Sequence, residues 1–190
     1  MARKGTRQLW KDKIEGRSTG AKAIASYGRT QFKGVILGID PSLRGMGVAV
    51  VEFIRPDSPV LIHSNTLKQK AKVSMAQCLG SIYSEVKRIL DTYPIDAIAL
   101  EQTIYVQNFQ TAQILGAARG AAIAAAAVKG FEVFEYAPLR VKQAVVGVGR
   151  ASKEQVAGTV KSLLGHGALL ELDESDAAAV AFTHAYTHKG

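Results

Sequence analysis

Apolar and polar positions divide the chain into a polar, basic first segment and a patterned region that begins near Gly34. Continuous apolar runs at residues 35–39 and 97–100 are typical of strands buried on both faces. Residues 48–53 and 60–63 predict two further strands, and Gly45 and Gly47 are expected to form a tight turn before the first of these. Short connections between the first three strands predict an antiparallel meander.

Helical signals follow the meander. Apolar side chains recur every three or four positions in residues 74–92, and Ser152 with Gln155 has the spacing of a capping box. The remaining predicted elements are an alanine-rich helix at 109–129 closed by Gly130, a strand at 131–136, a short helix from Pro138 to about Val145, a helix from Ser152 to about Leu164, and a last helix from about Asp173 to Tyr186. This order predicts an α/β fold with a mixed five-stranded sheet, an antiparallel meander plus parallel strands, flanked by helices.

Four carboxylates fall at the ends of these elements. Asp40 and Glu101 directly follow buried strands, and Asp173 and Asp176 lie three residues apart at the start of the last helix. If the first and fourth strands are neighbours, Asp40 and Glu101 meet at their carboxyl ends, and the last helix can bring the other two to the same point. Four carboxylates converging without a basic partner require cations. Hard oxygen ligands suit Mg²⁺ or Mn²⁺, and two such ions can cleave a phosphodiester by activating water.

Each carboxylate taken alone has a simpler interpretation. Asp40 could be a turn residue, Asp173 the N-cap of the last helix, and Asp176 a partner of the helix dipole. Glu101 is harder to explain in this way, because a charge that closes a buried strand is costly to desolvate. The four together favour a metal site.

Charge is concentrated at the start of the chain. The net charge is +8, and residues 1–33 contain nine Lys or Arg against two acidic residues, a share of +7. We expect residues 1–33 to be a basic, flexible arm and residues 34–190 to be one nuclease domain. The arm is as well suited to binding nucleic acid phosphates as to serving as a solubilising leader.

Other features limit the class of protein. The single cysteine, Cys78, is expected to be a buried apolar side chain, which fits a reducing cytoplasm. No membrane association is expected, because the most apolar stretch is short and mostly alanine. Gly116 and Gly120 are expected to let two helices or two subunits approach closely. His184 and His188 have metal-ligand spacing, but packing is the favoured interpretation because no further ligand is evident.

Several motifs, in this order, resemble those of RuvC-type Holliday junction resolvases. The resemblance covers residues 35–188. It is carried by Gly38-Ile39-Asp40-Pro41 with Gly47, Leu100-Glu101-Gln102, Gln113-Ile114-Leu115-Gly116-Ala117-Ala118-Arg119-Gly120, Val133-Phe134-Glu135-Tyr136-Ala137-Pro138, Val141-Lys142-Gln143, and Asp173-Glu174-Ser175-Asp176-Ala177. Ser42 and Ala49 depart from the family pattern, where glycines are usual, so the first turn is expected to differ.

The resemblance implies an RNase H-like fold and a homodimer that nicks four-way DNA junctions symmetrically in recombination and repair, with a branch-migration motor as a further partner. It also implies that the enzyme uses metal-activated water and that Asp40, Glu101 and Asp173 are catalytic metal ligands, with Asp176 as a further carboxylate. The DNA-binding residues that it implies are Lys142, Lys153, Arg119, and either Ile104 or Tyr105 as a wedge at the junction.

Two other functional classes compete with the nuclease. A catalytically silent RNase H-like module that binds branched nucleic acid would have little reason to keep all four carboxylates. An actin-like nucleotide-binding protein would need a second phosphate loop and a longer chain. The sequence therefore favours the nuclease.

Overall fold

A computed structural model describes residues 32–55, 58–103, 108–165 and 170–188. The elements alternate largely as expected from the sequence. In chain order they are β1 (Val35–Asp40), β2 (Gly45–Glu52), β3 (Val60–Lys68), α1 (Met75–Thr92), β4 (Ala97–Glu101), α2 (Phe109–Val128), β5 (Val133–Tyr136), α3 (Pro138–Val146), α4 (Lys153–Leu163) and α5 (Leu172–Thr187).

The five strands form one mixed sheet in the order β3-β2-β1-β4-β5. β1 pairs antiparallel with β2 and parallel with β4, and β4 pairs parallel with β5. The predicted meander and the predicted neighbourhood of β1 and β4 are both confirmed. β4 can run parallel to β1 because α1 connects it to the meander, and parallel strands require a crossover connection of this kind.

β3 is twice as long as the sequence pattern indicated. It continues past His63 to Lys68, because it pairs with β2 along nearly its whole length, with one irregularity at Val50 and Val51. Its second half is polar, and β3 is an edge strand whose side chains are mostly only partly buried. An edge strand does not need a buried apolar pattern, so the pattern did not reveal it.

Apolar side chains cover both faces of the sheet. Ile36 faces a core shared with α3, α4 and α5, whereas its neighbour Leu37 faces a core shared with α1 and α2. Successive side chains of a strand point to opposite faces, so a strand between two helical layers must be apolar at every position. This explains the continuous apolar runs of β1 and β4.

The prediction of a tight turn at Gly45 and Gly47 is wrong. Both glycines lie inside β2, and the turn occupies residues 41–44. Gly47 is directly opposite Asp40 on β1, and a Cβ atom at Gly47 would lie 2.0 Å from the carbonyl oxygen of Asp173. The glycine therefore permits close contact with α5 rather than a turn.

The capping box predicted at Ser152 is confirmed, a second one at Ser74 has no counterpart in the prediction, and the start of the last helix departs from it. Ser74 with Gln77 and Ser152 with Gln155 each form a capping box. α5 instead begins at Leu172, with Glu171 at the cap position and no side-chain cap hydrogen bond. Asp173 therefore lies within the first turn of α5, and its interpretation as the N-cap is wrong.

Much of the apolar surface of α2 is not covered by the other described residues. Only four alanines of the helix are buried, and Phe109 and Val128 are largely exposed. A Cβ added to Gly116 or Gly120 would have no atom within 4 Å, so among the described residues these glycines do not mediate a contact between helices. In the described part of the chain, α2 is also the helix whose length and composition would suit a membrane span, a weak indication by itself.

The far end of α5 is packed by aromatic rings. His184 is fully buried, its Nδ1 lies 2.9 Å from the Tyr136 hydroxyl, and its ring stacks on His188. Burial lowers the pKa of His184 to about 4. Phe32 packs edge-on against the same ring. The packing interpretation of His184 is confirmed, as is the burial of Cys78.

Candidate active site

Asp40 and Glu101 meet at the carboxyl ends of two parallel neighbours. Asp40 is the last residue of β1 and Glu101 the last residue of β4, and the two carboxyl groups share a hydrogen bond. Both side chains are partly buried. In open sheets with helices on both faces, this edge is where ligands bind.

α5 adds two more carboxylates from above the sheet. Asp173 and Asp176 lie three residues apart, so they project from one face of the helix. Ligand oxygens of Asp40, Asp173 and Asp176 lie within 4.8 Å of one another. Together with Glu101 they form what we call the carboxylate cluster (Asp40, Glu101, Asp173 and Asp176). The four residues predicted from the sequence are therefore brought together.

Burial and the charge of neighbouring carboxylates raise two pKa values in the carboxylate cluster. Burial, followed by the charge of Asp176, raises the pKa of Asp40 from 3.8 to about 6. Burial, followed by the charge of Asp40, raises the pKa of Glu101 from 4.5 to about 8. Without a cation, Glu101 is thus protonated near neutral pH and can donate its hydrogen bond to Asp40. The cluster holds more carboxylate oxygen than it can keep ionised by itself.

One basic residue does reach the cluster, contrary to the expectation that it has no basic partner. Lys153, the first residue of α4, places Nζ 2.7 Å from Oδ2 of Asp176. The hydrogen bond that Lys153 donates to Asp176 raises the pKa of Lys153, so the ammonium stays charged. A single lysine offsets only part of the charge, since the pKa values of Asp40 and Glu101 remain high despite it.

A cavity of about 240 Å³ opens beside Asp40 and Glu101. Its other walls are a mixture of polar and apolar side chains from the strand ends, α2 and α3. They are Pro41, Ser42, Gln102, Thr103, Leu115 and Pro138. The two carboxylates are therefore reachable from outside and can act on a bound molecule.

The donor set of the cluster fits a hard divalent cation. Every candidate ligand atom is a carboxylate oxygen, and no His or Cys of the described residues joins the group. Mg²⁺ takes one or two carboxylates and keeps several waters, whereas zinc favours nitrogen and sulfur. A divalent cation would also relieve the repulsion that raises the pKa values of Asp40 and Glu101.

The expected DNA-binding residues have different surroundings. Lys142 is partly buried on α3, one turn after Pro138, which lines the cavity. Arg119 has a partner within the chain, because its Nε donates to Oε2 of Glu135 at 2.7 Å. Ile104 and Tyr105 lie outside the described residues.

Two contacts that the sequence did not reveal hold the start of α5. Ser64 on β3 donates to Oε2 of Glu174 at 2.8 Å, and Lys68 forms an ion pair with Glu171 at 2.6 Å. The partners are more than 100 residues apart along the chain. A single sequence contains no signal for such pairs. Together they tie the first turn of α5 to the edge strand.

Comparison with known proteins gives consistent results. A family model described as crossover junction endodeoxyribonuclease RuvC matches residues 36–184. The crossover junction endodeoxyribonuclease RuvC of Chromohalobacter salexigens is 41% identical over 156 residues, which cover 82% of this chain and 83% of the relative. The protein of the same description from Geobacter sulfurreducens is 43% identical over 150 residues, covering 79% and 91%.

Solved structures agree with these relatives. The RuvC of Thermus thermophilus in complex with a Holliday junction substrate superposes with a TM-score of 0.75 at 33% identity, covering 80% of this chain and 93% of that one. The yeast mitochondrial Holliday junction resolvase Ydc2 has a TM-score of 0.58 at 9% identity, a likeness of fold alone, covering 97% and 85%.

Proposed function

The chain belongs to the RuvC family of crossover junction endodeoxyribonucleases and is an endonuclease that resolves Holliday junctions, and we propose that the carboxylate cluster is its catalytic centre. The observation that carries this proposal is that ligand oxygens of Asp40, Asp173 and Asp176 lie within 4.8 Å of one another at the edge of the sheet. Glu101 joins them through its hydrogen bond with Asp40. A catalytically silent module is not favoured, because it would gain nothing from this convergence.

The cluster is proposed to hold Mg²⁺, which Mn²⁺ can replace, as two ions per site. Bound ions would supply a water of lowered pKa and neutralise charge on the leaving oxygen. Asp40 is proposed as the central ligand, because it is hydrogen-bonded to Glu101 and close to both carboxylates of α5. Glu101 must lose its proton before it can become a ligand. The cluster thus exchanges a proton shared between carboxyls for a cation.

Lys153 is proposed to change partner during the reaction. In the absence of a divalent cation it neutralises Asp176, and its side chain is 56% exposed, so it can turn outward. Once cations satisfy Asp176, the ammonium is free to contact a phosphate of the cleaved strand. Lysine suits this role because it is a compact charge on a long, rotatable stem.

The junction is proposed to reach the cluster across the cavity lined by Gln102 and Pro138. Lys142, one turn after Pro138 on α3, is proposed to bind the DNA backbone there. Ile104 or Tyr105 is proposed as the apolar wedge, since both follow Thr103 at the cavity wall. Arg119 is proposed to contact DNA only secondarily, because Glu135 already engages it.

We propose a homodimer that pairs two cluster sites through α2. The exposed glycines and apolar side chains of α2 give it a face that another subunit can cover. This use also accounts for the apolar composition of α2 without a membrane. Two sites related by a twofold axis would produce the symmetric nicks that resolve a junction.

Three further parts of the proposal rest on the sequence and the family. The basic arm, residues 1–33, precedes the region that the family model matches, residues 36–184, and is proposed to bind duplex DNA. A branch-migration motor is proposed as a partner. The cytoplasm is proposed as the location, consistent with the free, buried thiol of Cys78.

Cleavage of a synthetic four-way junction tests the catalytic proposal. The protein with Mg²⁺ should nick two opposite strands at matching positions, and chelation should abolish cutting until Mg²⁺ is restored. Asp40→Asn removes a ligand charge with little change of shape, so we expect junction binding to persist and cleavage to fall by more than about 100-fold.

Glu52→Gln is the matched control. Glu52 is a carboxylate at the last residue of β2, at the end of the strand away from Gly47, which pairs with Asp40. It should cleave like the unaltered protein. Intact junction binding with no cleavage by the unaltered protein, in either Mg²⁺ or Mn²⁺, would count against the catalytic proposal. Normal cleavage by Asp40→Asn would remove Asp40 from the site.

A further inference from the structure

Two strand glycines lie directly beneath the helix that carries half of the carboxylate cluster. A Cβ atom added to Gly47 would lie 2.0 Å from the carbonyl oxygen and 2.6 Å from the carbonyl carbon of Asp173. A Cβ atom added to Gly38 would lie 2.0 Å from the carbonyl oxygen of Ala177, the residue after Asp176. Real Cβ atoms essentially never approach other atoms closer than 3.0 Å, so any side chain at either position displaces the backbone of α5.

Both glycines occupy the sheet face on which Asp40 lies. Gly38 precedes Asp40 by two positions on β1, and Gly47 is the cross-strand partner of Asp40 on β2. Gly45, two positions before Gly47, also faces α5, and a Cβ there would lie 3.3 Å from Oδ2 of Asp173. Three glycines of this face therefore lie against the part of α5 that carries Asp173 and Asp176.

We infer that Gly38 and Gly47 are positioning residues for the metal site, an inference that rests on the proposed function of the carboxylate cluster. Their missing side chains set how closely α5 approaches the sheet. That distance fixes the separation of Asp173 and Asp176 from Asp40. Gly47 acts through the backbone of Asp173, and Gly38 acts through the backbone next to Asp176.

The required accuracy of a metal site makes this distance important. Ligand distances hold to within about 0.2 Å, and the supporting residues of a functional site must keep it within about 0.5 Å. A Cβ at position 47 lies 2.0 Å from the carbonyl oxygen of Asp173, so reaching the 3.0 Å limit requires a shift of about twice the 0.5 Å tolerance of a functional site. The ligands of α5 would then no longer close on a cation held by Asp40.

Gly47→Ala tests the inference with two readouts. Mn²⁺ binding to the DNA-free protein is measured by calorimetry, and junction binding in chelator is measured beside cleavage in Mg²⁺. We expect Mn²⁺ affinity to fall by about tenfold or more and cleavage by about 100-fold, with junction binding unchanged. Gly38→Ala should have the same pattern of effects.

Gly80→Ala and Gly158→Ala are the matched controls. Both glycines are exposed on helices and have no atom within 4 Å of an added Cβ. They should bind Mn²⁺ and cleave like the unaltered protein. If Gly47→Ala fails to fold, Gly45→Ala keeps the test available, because its Cβ reaches only the flexible carboxylate of Asp173 and should weaken Mn²⁺ binding without lowering the melting temperature.

The possible outcomes separate this inference from the proposed function. A folded Gly47→Ala protein with unaltered Mn²⁺ affinity would overturn the inference while leaving the resolvase intact. Unaltered Mn²⁺ affinity in Gly45→Ala, where Gly47→Ala does not fold, would do the same. An unaltered protein that cleaves junctions but binds no Mn²⁺ would instead disprove the metal site and the inference with it.

Discussion

Glu101 links the chemistry of the site to the stability of the fold. Without a cation, the pKa of Glu101 is about 8 and that of Asp40 about 6, against 4.5 and 3.8 outside the fold. A carboxyl whose folded pKa is raised binds its proton more tightly in the folded state. Its contribution to stability is therefore fully present below the unfolded pKa and is lost as pH rises through the folded pKa.

Between about pH 6.5 and pH 8, metal-free protein should therefore lose thermal stability; below this range the lowered pKa of His184 has the opposite effect. A tenfold change in a protonation equilibrium is about 1.4 kcal/mol, and 1 kcal/mol moves the melting temperature of a domain of this size by about 2–4 °C. We expect a fall of several degrees in chelator, measured by calorimetry.

The same measurement has an internal control. Glu101→Gln should flatten most of the pH dependence, because its amide does not titrate. Mg²⁺ should raise the melting temperature more at the alkaline end than at the acid end, since the cation and the proton compete for the same oxygens. A melting temperature that rises between about pH 6.5 and pH 8 in chelator would contradict the raised pKa of Glu101.

Lys153 allows a second prediction at the scale of one residue. Its ammonium lies 2.7 Å from Asp176, where it competes with a divalent cation for the same carboxylate. Lys153→Met should therefore bind Mn²⁺ more tightly in the absence of DNA. It should also cleave junctions more slowly at saturating Mg²⁺, because the charge proposed to contact the phosphate is gone.

Lys161→Met is the matched control, and we expect neither tighter Mn²⁺ binding nor slower cleavage in it. Lys161 is exposed in the last turn of the same helix. Calorimetry and single-turnover cleavage would measure the two quantities separately. Weaker Mn²⁺ binding in Lys153→Met would mean that Lys153 supports the metal site rather than competing with the metal.

The sequence indicated the four carboxylates but not the lysine that touches them. Asp40 and Glu101 could be found because each closes a buried apolar run, a signal local to the chain. The contact between Lys153 and Asp176 spans 23 residues and two helices, and it depends on how α4 packs on α5. Packing of this kind leaves no mark in the spacing of one sequence.

At the scale of elements, the same distinction separates correct predictions from wrong ones. The buried runs of β1 and β4, the apolar spacing of α1 and the capping box of α4 are local signals, and these elements were predicted. The second half of β3 had none, because the ladder with β2 determines where an edge strand ends. Gly47 was wrongly assigned to a turn, because a glycine required by a neighbouring helix resembles a turn glycine in sequence.

α2 is the element whose surface this chain leaves least explained. In the part of the chain that the structure describes, a Cβ added to either of its glycines would have no neighbour within 4 Å, and Phe109 is 75% exposed. If α2 forms the proposed dimer contact, Gly120→Glu should place a charge within it and yield monomers. Sedimentation should detect the change, while the melting temperature of the isolated fold stays similar.

Gly80→Glu is the control, because Gly80 is equally exposed on α1. It should remain dimeric. Paired cutting should suffer more than single nicking in Gly120→Glu, since each monomer retains a complete carboxylate cluster. A dimeric Gly120→Glu protein would exclude this face of α2 as the contact.

At the scale of the whole molecule, charge is distributed unevenly, and the proposed function gives the two parts of the chain different tasks. Residues 34–190 contain 15 basic and 14 acidic residues, whereas residues 1–33 have a net charge of +7. The acidic site repels phosphate until cations bind, so affinity for DNA must come from elsewhere. The arm lies outside residues 36–184, which the family model matches.

Deletion of residues 2–31 should therefore weaken junction binding without changing the chemistry. Each phosphate contact adds about 0.9 to the slope of log affinity against log salt, so the truncated protein should have a shallower slope between about 50 and 200 mM salt. Cleavage of fully bound junction should proceed at the original rate, because every cluster residue remains. An unaltered slope would assign residues 2–31 no part in DNA binding, and an altered single-turnover rate would mean that they also act on the site.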